Sequence, residues 1–239
     1  MLATVSALPE VLRVGNLEVA VTVSNRRKSV RLTVERDASV TAVAPPHVSR
    51  DELIKMVEAK RAWLYGKLAE HRELGEARPA REYASGEGFP YLGRSYRLRI
   101  IDSGSRVRLI RGRLELGQGG GAPELVRWYC QVGEPWLKRR IQPWASRMGA
   151  EMTGLRVQPL GYRWGSCSRD GHVNIHWATM QLPPTLIDYV LVHELAHLHR
   201  RDHRPEFWRL VEVAMPCYQD RRERLRRLGP DLWLPDEGR

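Results

Sequence analysis

The chain has 239 residues, of which 42% are hydrophobic and 28% charged. This composition sustains a packed core and excludes a disordered or fibrous protein. Lys and Arg number 39 against 28 Asp and Glu, a formal charge of +11, which suits anionic partners such as nucleic acid or nucleotides and equally a solvated basic surface with no dedicated partner.

Nearly all of the positive charge is arginine, since only Lys28, Lys55, Lys60, Lys67 and Lys138 are lysines. Arginine pairs bidentately with phosphate and carboxylate. The three cysteines, Cys130, Cys167 and Cys217, are too few and too widely spaced for a disulfide framework or a CxxC pair. Residues 1–14 lack a basic start followed by an apolar core, because Glu10 and Arg13 interrupt the run. They do not read as a signal peptide. No charge-free stretch reaches bilayer length. The expectation is a soluble cytoplasmic protein that does not enter the membrane; its oligomeric state is left open.

In chain order, 17–24, 29–35 and 39–43 alternate and are rich in Val and Thr, with Asp37 in a turn, predicting a small antiparallel meander. Pro45 and Pro46 end it. Ser49 to Glu52 reads as a capping box that opens one long helix to about Gly75. Residues 80–90 read as loop. Strands at 95–101 and 106–116 are predicted to form a hairpin around Ser103-Gly104. The glycine-rich 117–123 reads as a linker, and the domain boundary is placed there. It lacks the Lys-Ser/Thr ending of a phosphate-binding loop. A helix then runs to about Gly149, with kinks possible at Pro135 and Pro143. Short strands follow in 155–180. A strong helix is predicted from Pro183-Pro184 to about Arg200, a shorter one near Pro205 and a last one over 218–228. No internal repeat is evident. The expected class is α+β: a β-rich region with one long helix over 1–120, a catalytic domain over 121–230, and a tail over 231–239.

Residues 193–197 read His-Glu-Leu-Ala-His. On a helix, positions i and i+4 share a face with Cβ atoms about 5–6 Å apart. Two imidazoles so placed can reach one tetrahedral zinc ion at about 2.0–2.1 Å. Glu194 lies about 100° round the helix from His193. That makes it a poor ligand but a suitable base for water at an open coordination position. Six of the eight histidines (172, 176, 193, 197, 199 and 203) fall within a short stretch. His203 follows the expected end of the helix, where a turn can bring it back over the ion, and it is the favoured third ligand. His199 is about 200° from His197 and should face away. Glu206 and Glu212 are acidic alternatives; His172 and His176 can line the cleft, but the favoured reading is that they are satisfied, non-ligand histidines.

The segments 162–168 (YRWGSCS), 171–177 (GxVxIxW), 183–198 (PxxxIDYVLVHELAHL) and 202–208 (DHRPEFW) together resemble the YgjP-like metallohydrolases, relatives of the SprT-like and WLM zinc metallopeptidases. Residues 26–45, 60–63 (KRAW), 91–96 (YLGRSY) and the Pro216-Cys217-Tyr218 segment also fit, so the similarity spans about 15–228. The resemblance implies a zincin-like fold and one zinc per chain on His193, His197 and His203, with Glu194 as base. It also implies that Arg163, Trp164, Gly165 and Ser166 stand near the metal. Arg204 departs from the family's usual Ser and weakens the cap before Pro205. His176 stands where Asn is usual.

The resemblance leaves peptides and nucleoside triphosphates (UTP) open as substrates. For a peptidase, Arg163, His176 or Tyr218 is a candidate oxyanion donor, and an edge strand can hold extended peptide. For a nucleotide hydrolase, Arg163 and the Arg26-Arg27-Lys28 run can hold phosphates. A nucleic-acid-associated protease module is a third reading, from the net charge and the arginine runs in 221–227.

Overall fold

The computed structural model describes residues 10–34, 39–73, 81–102, 104, 106–160, 163–229 and 232. The expected turn at Asp37, the last residues of the helix predicted to reach Gly75, Ser103, and the tail apart from Leu232 lie outside the described residues. The chain divides into two compact units, Met1–Arg78 and Pro79–Arg239.

In the first unit, β1 (Val11–Val14) and β2 (Leu17–Val23) form a hairpin, followed by β3 (Arg31–Val34) and β4 (Val40–Ala44). Gly15, at φ +58°, makes the left-handed turn between β1 and β2. The sheet order is β1-β2-β4-β3, with β2 parallel to β4 and β3 antiparallel to it. The predicted meander is therefore corrected to a mixed sheet. Alternation fixes which face each strand buries, but it carries no information on which strand lies alongside. Buried Leu12, Leu17, Val19, Val40 and Ala42 pack with Leu53, Val57 and Leu64. The last three belong to α1 (Arg50–Ala59) and α2 (Arg61–Glu73), which meet at Lys60 where one continuous helix was predicted. The capping box is present: the Ser49 amide donates to Glu52 Oε2 at 2.8 Å, and the Glu52 amide to Ser49 Oγ at 3.3 Å.

The second unit opens with β5 (Gly88–Tyr91), β6 (Arg94–Ile101), β7 (Arg108–Ile110) and β8 (Arg113–Gly117). Their order, β5-β6-β8-β7, repeats the first sheet's topology, with β6 parallel to β8. Residues 106–116 thus fold back on themselves as β7 and β8, and the expected hairpin of 95–101 with 106–116 is corrected to a parallel pairing across that turn. The repeat is one of connectivity, and no sequence period accompanies it.

The compact division falls ahead of the glycine-rich 117–123, which lies within the second unit, and the cause is packing. Phe89, Leu98, Leu114 and Leu116 share one core with Tyr129 and Leu137 of α3 (Ala122–Met148) and with the helices that follow. The Leu92 and Gly93 amides also donate to the carbonyls of Met180 (2.8 Å) and Gln181 (3.3 Å). α3 runs unbroken through Pro135 and Pro143 to a left-handed cap at Gly149.

A three-stranded sheet follows, ordered β10-β11-β9, from β9 (Gly154–Gln158), β10 (Gly165–Cys167) and β11 (His172–His176). A 3-10 turn (Trp177–Gln181) leads into α4 (Pro184–His199), then α5 (Pro205–Ala214) and α6 (Tyr218–Leu228). α4 is the buried spine, with Leu186, Ile187, Leu191, Val192, Leu195 and Ala196 all at 1% exposure or less. Asp188 ties it to α3, accepting two 2.8 Å bonds from Arg140 and one of 3.1 Å from Trp144 Nε1. None of the described helices is long and apolar enough to cross a membrane.

Candidate metal centre

The helical spacing places His193 and His197 on one face of α4, with ring centroids 4.9 Å apart. The chain leaves α4 at Arg200, turns, and returns His203 against both, at 5.0 Å from His193 and 4.7 Å from His197. Phe207, fully buried in the first turns of α5, lies 4.6–4.9 Å from all three rings and forms an apolar floor beneath them. The three ligand nitrogens lie within 4.8 Å of one another.

The donor set fits a zinc-sized ion. His193 Nε2 and His203 Nε2 are 3.1 Å apart, near the roughly 3.3–3.4 Å separating two tetrahedral ligands each about 2.0–2.1 Å from zinc. His197 Nδ1 lies 3.1 Å from the Arg200 carbonyl. A carbonyl only accepts, so Nδ1 carries the proton and Nε2 is left with its lone pair toward the cluster. Burial, the neighbouring imidazoles and Arg222 depress His193 to about 3. Burial likewise lowers His197 and His203. These shifts all favour the neutral ring, the form in which imidazole binds metal.

Glu194 points to the other side of the cleft. It is 5% exposed, and its buried Oε2 has no hydrogen-bond partner among the described residues. Burial raises its carboxyl to about 8, against a lowering by Arg163, so it is more basic than a solvated carboxylate. It faces β10, the edge strand of its sheet. Trp164 to Cys167 line the opening with Arg163, Tyr189 and Arg201, around a cleft of about 500 Å³.

The remaining sequence candidates go elsewhere. His199 Nε2 meets the Met148 carbonyl at 3.1 Å, facing away from the triad as its helical angle requires. Glu206 lines a separate depression with His199 and Arg209, and Glu212 is exposed. His176, a candidate for the cleft lining, is fully buried, and its Nδ1 accepts the Ala178 amide at the start of the 3-10 turn. His172 packs over Gly154. Tyr218 stacks on Trp208 at 5.5 Å and is buried there, outside the cleft lining. Of the three candidate oxyanion donors, only Arg163 lines the cleft.

Sequence reasoning missed Tyr189, Arg201 and Arg222. Tyr189 sits one helical turn before His193, a spacing that would have found it; burial pushes its hydroxyl to about 12. Arg222 stands over the Trp208 ring at 4.6 Å. Arg226 and Arg227 both pair with Glu223, so part of the C-terminal basic run is neutralised on its own helix. Arg26, Arg27 and Lys28 belong to the first unit.

Two histidines one turn apart on a buried helix, a carboxylate between them and a third histidine beyond the turn define a hydrolase centre of the metallopeptidase type. Residues 28–228 match the profile of the YgjP-like metallopeptidase domain, and the chain belongs to that family. Among solved structures, the zymogen of the Pyrococcus abyssi metallopeptidase abylysin matches at 25% identity. That match covers 37% of this chain and 90% of the other, with a TM-score of 0.35. No curated protein matches the chain.

Proposed function

We propose that the protein is a zinc-dependent hydrolase acting on peptide bonds, with one zinc per chain held by His193, His197 and His203 and with Glu194 as general base. The observation that carries this reading is the convergence of three imidazoles beside a buried carboxylate whose Oε2 has no partner among the described residues, at the wall of an open cleft. When bound, zinc supplies Lewis acidity to polarise the scissile group and lower the pKa of water. Glu194 takes the proton from the attacking water and returns it to the leaving amine. Arg163, at the cleft mouth, supplies positive charge for the developing oxyanion. Among the described residues β10 pairs with β11 along one edge, and its other edge is the one to take an extended peptide by strand addition.

A second reading, nucleoside triphosphate hydrolysis, draws on the cations. Arg163 and Arg201 line the cleft, and Arg222 acts on both His193 and His203. Metal analysis should give one zinc per chain, and wild type without zinc would end both readings. Incubation with unfolded casein and, separately, with UTP decides between them, each with Glu194→Gln as control. Casein cleavage lost in the variant supports the first reading; UTP hydrolysis lost in the variant supports the second.

A further inference from the structure

Gly165 opens β10 directly opposite Glu194. A Cβ built there would sit 2.6 Å from Glu194 Oε1 and 2.7 Å from its Cδ and Cγ, where carbon contacts are optimal at about 3.5–4.0 Å. Glycine has two common reasons to be at a position: a left-handed backbone, or close approach of another group. The first is absent here, because Gly165 is not among the positive-φ residues. The close approach is by Glu194, to which all three of the nearest heavy atoms belong.

Neither partner can retreat easily. The contact includes Cγ, so rotating the terminal carboxylate does not relieve it. The α4 backbone that carries Glu194 is buried on both sides, at Val192 and Leu195. β10 is held from behind, because the Trp164 carbonyl accepts the His176 amide at 2.8 Å and the Thr179 hydroxyl at 3.3 Å. Its own residues pair with β11 from Gly165↔Ile175 to Cys167↔Val173.

We infer that Gly165 is the positioning residue for Glu194: its missing side chain is the seat that fixes where the carboxylate stands relative to His193 and His197. The inference rests on the reading of Glu194 as the base. It adds that the strand opposite the metal sets the position of that base through backbone contact.

The test is a thermal-stability cycle on the full chain, comparing wild type, Gly165→Ala, Glu194→Ala and the double variant, with zinc content measured for each. Gly165→Ala should lower Tm when Glu194 is present and leave Tm unchanged when residue 194 is Ala. Zinc should remain at the wild-type level throughout. An equal fall in Tm in both backgrounds would show that the fold itself needs the glycine. No fall in either would show that the space is not contested. Either result overturns the inference. A kinetic arm uses whichever of casein or UTP wild type turns over. There Gly165→Ala should lower kcat about 10- to 100-fold, the scale of a misplacement of about 1 Å, with KM unchanged; unchanged kcat overturns the positioning role. If wild type turns over neither, the proposed function is what fails, and the Tm cycle still decides the contact.

Discussion

On the helix side of the cleft, the proposed ligands and base stand at fixed helical offsets: His193, Glu194 and His197 on α4, with His203 just beyond it. On the strand side, Gly165 faces the proposed base with no side chain, and a Cβ built there would meet the Glu194 side chain. The two sides differ in how they tolerate change. A ligand on the helix side can be lost without moving the backbone, whereas a Cβ added at Gly165 must displace something. A spacing rule reveals the first side. The second appears only once the strand and the helix are placed together.

The largest effect should come from breaking the helix side outright. His193→Ala removes the most buried of the three imidazoles, and zinc affinity should fall by more than the roughly 10- to 100-fold that loss of an outer hydrogen-bond partner costs. Competition with a chromophoric chelator measures this. Zinc retained at wild-type affinity would remove His193 from the ligand set. Next, Glu194→Gln separates base from ligands. Turnover should fall about 10²- to 10⁴-fold while zinc content stays constant. The Gly165→Ala substitution described above lies between the two sides and should show the coupling in stability and in kcat. The smallest effect should come from Thr179→Val, which removes the hydroxyl donor to the Trp164 carbonyl and leaves the His176 amide in place. It should cost about 1 kcal/mol, a fall in Tm of about 2–4 °C for a chain of this size. A much larger fall would mean that β10 is less firmly held than its other contacts imply.

Much of the helix side was legible in the sequence, because a 3.6-residue period converts spacing into direction. It brings His193 and His197 together and sends His199 away. His203 needed one more step, the turn at Arg200. Gly165 was visible only as a neighbour of the expected metal, because glycine gives no signal for which element approaches it. His176 read as a non-ligand histidine rather than a cleft residue, and its place as the cap of the 3-10 turn agrees with that. The sheets were half legible. Alternation marked the strand-like runs, but the parallel pairings β2–β4 and β6–β8 join strands that are not consecutive in the chain, and β1 and β5 are only four residues long, too short for a period to stand out. The break at Lys60 was hidden because helical propensity continues across it.

The link between α4 and α5 carries Arg200, Arg201 and Arg204, all exposed, immediately before and after His203. An ion shared by His193, His197 and His203 would act as a clasp on this segment, joining it to a buried helix at one added point. Limited proteolysis would then report occupancy. With the ion in place, trypsin should leave these arginines intact over a short digestion. After chelation the same digestion should cut the chain between α4 and α5, releasing a C-terminal fragment that begins at residue 201 or 202, because Pro205 protects the bond after Arg204. Identical digestion patterns with and without chelator would mean that the segment is held without the ion.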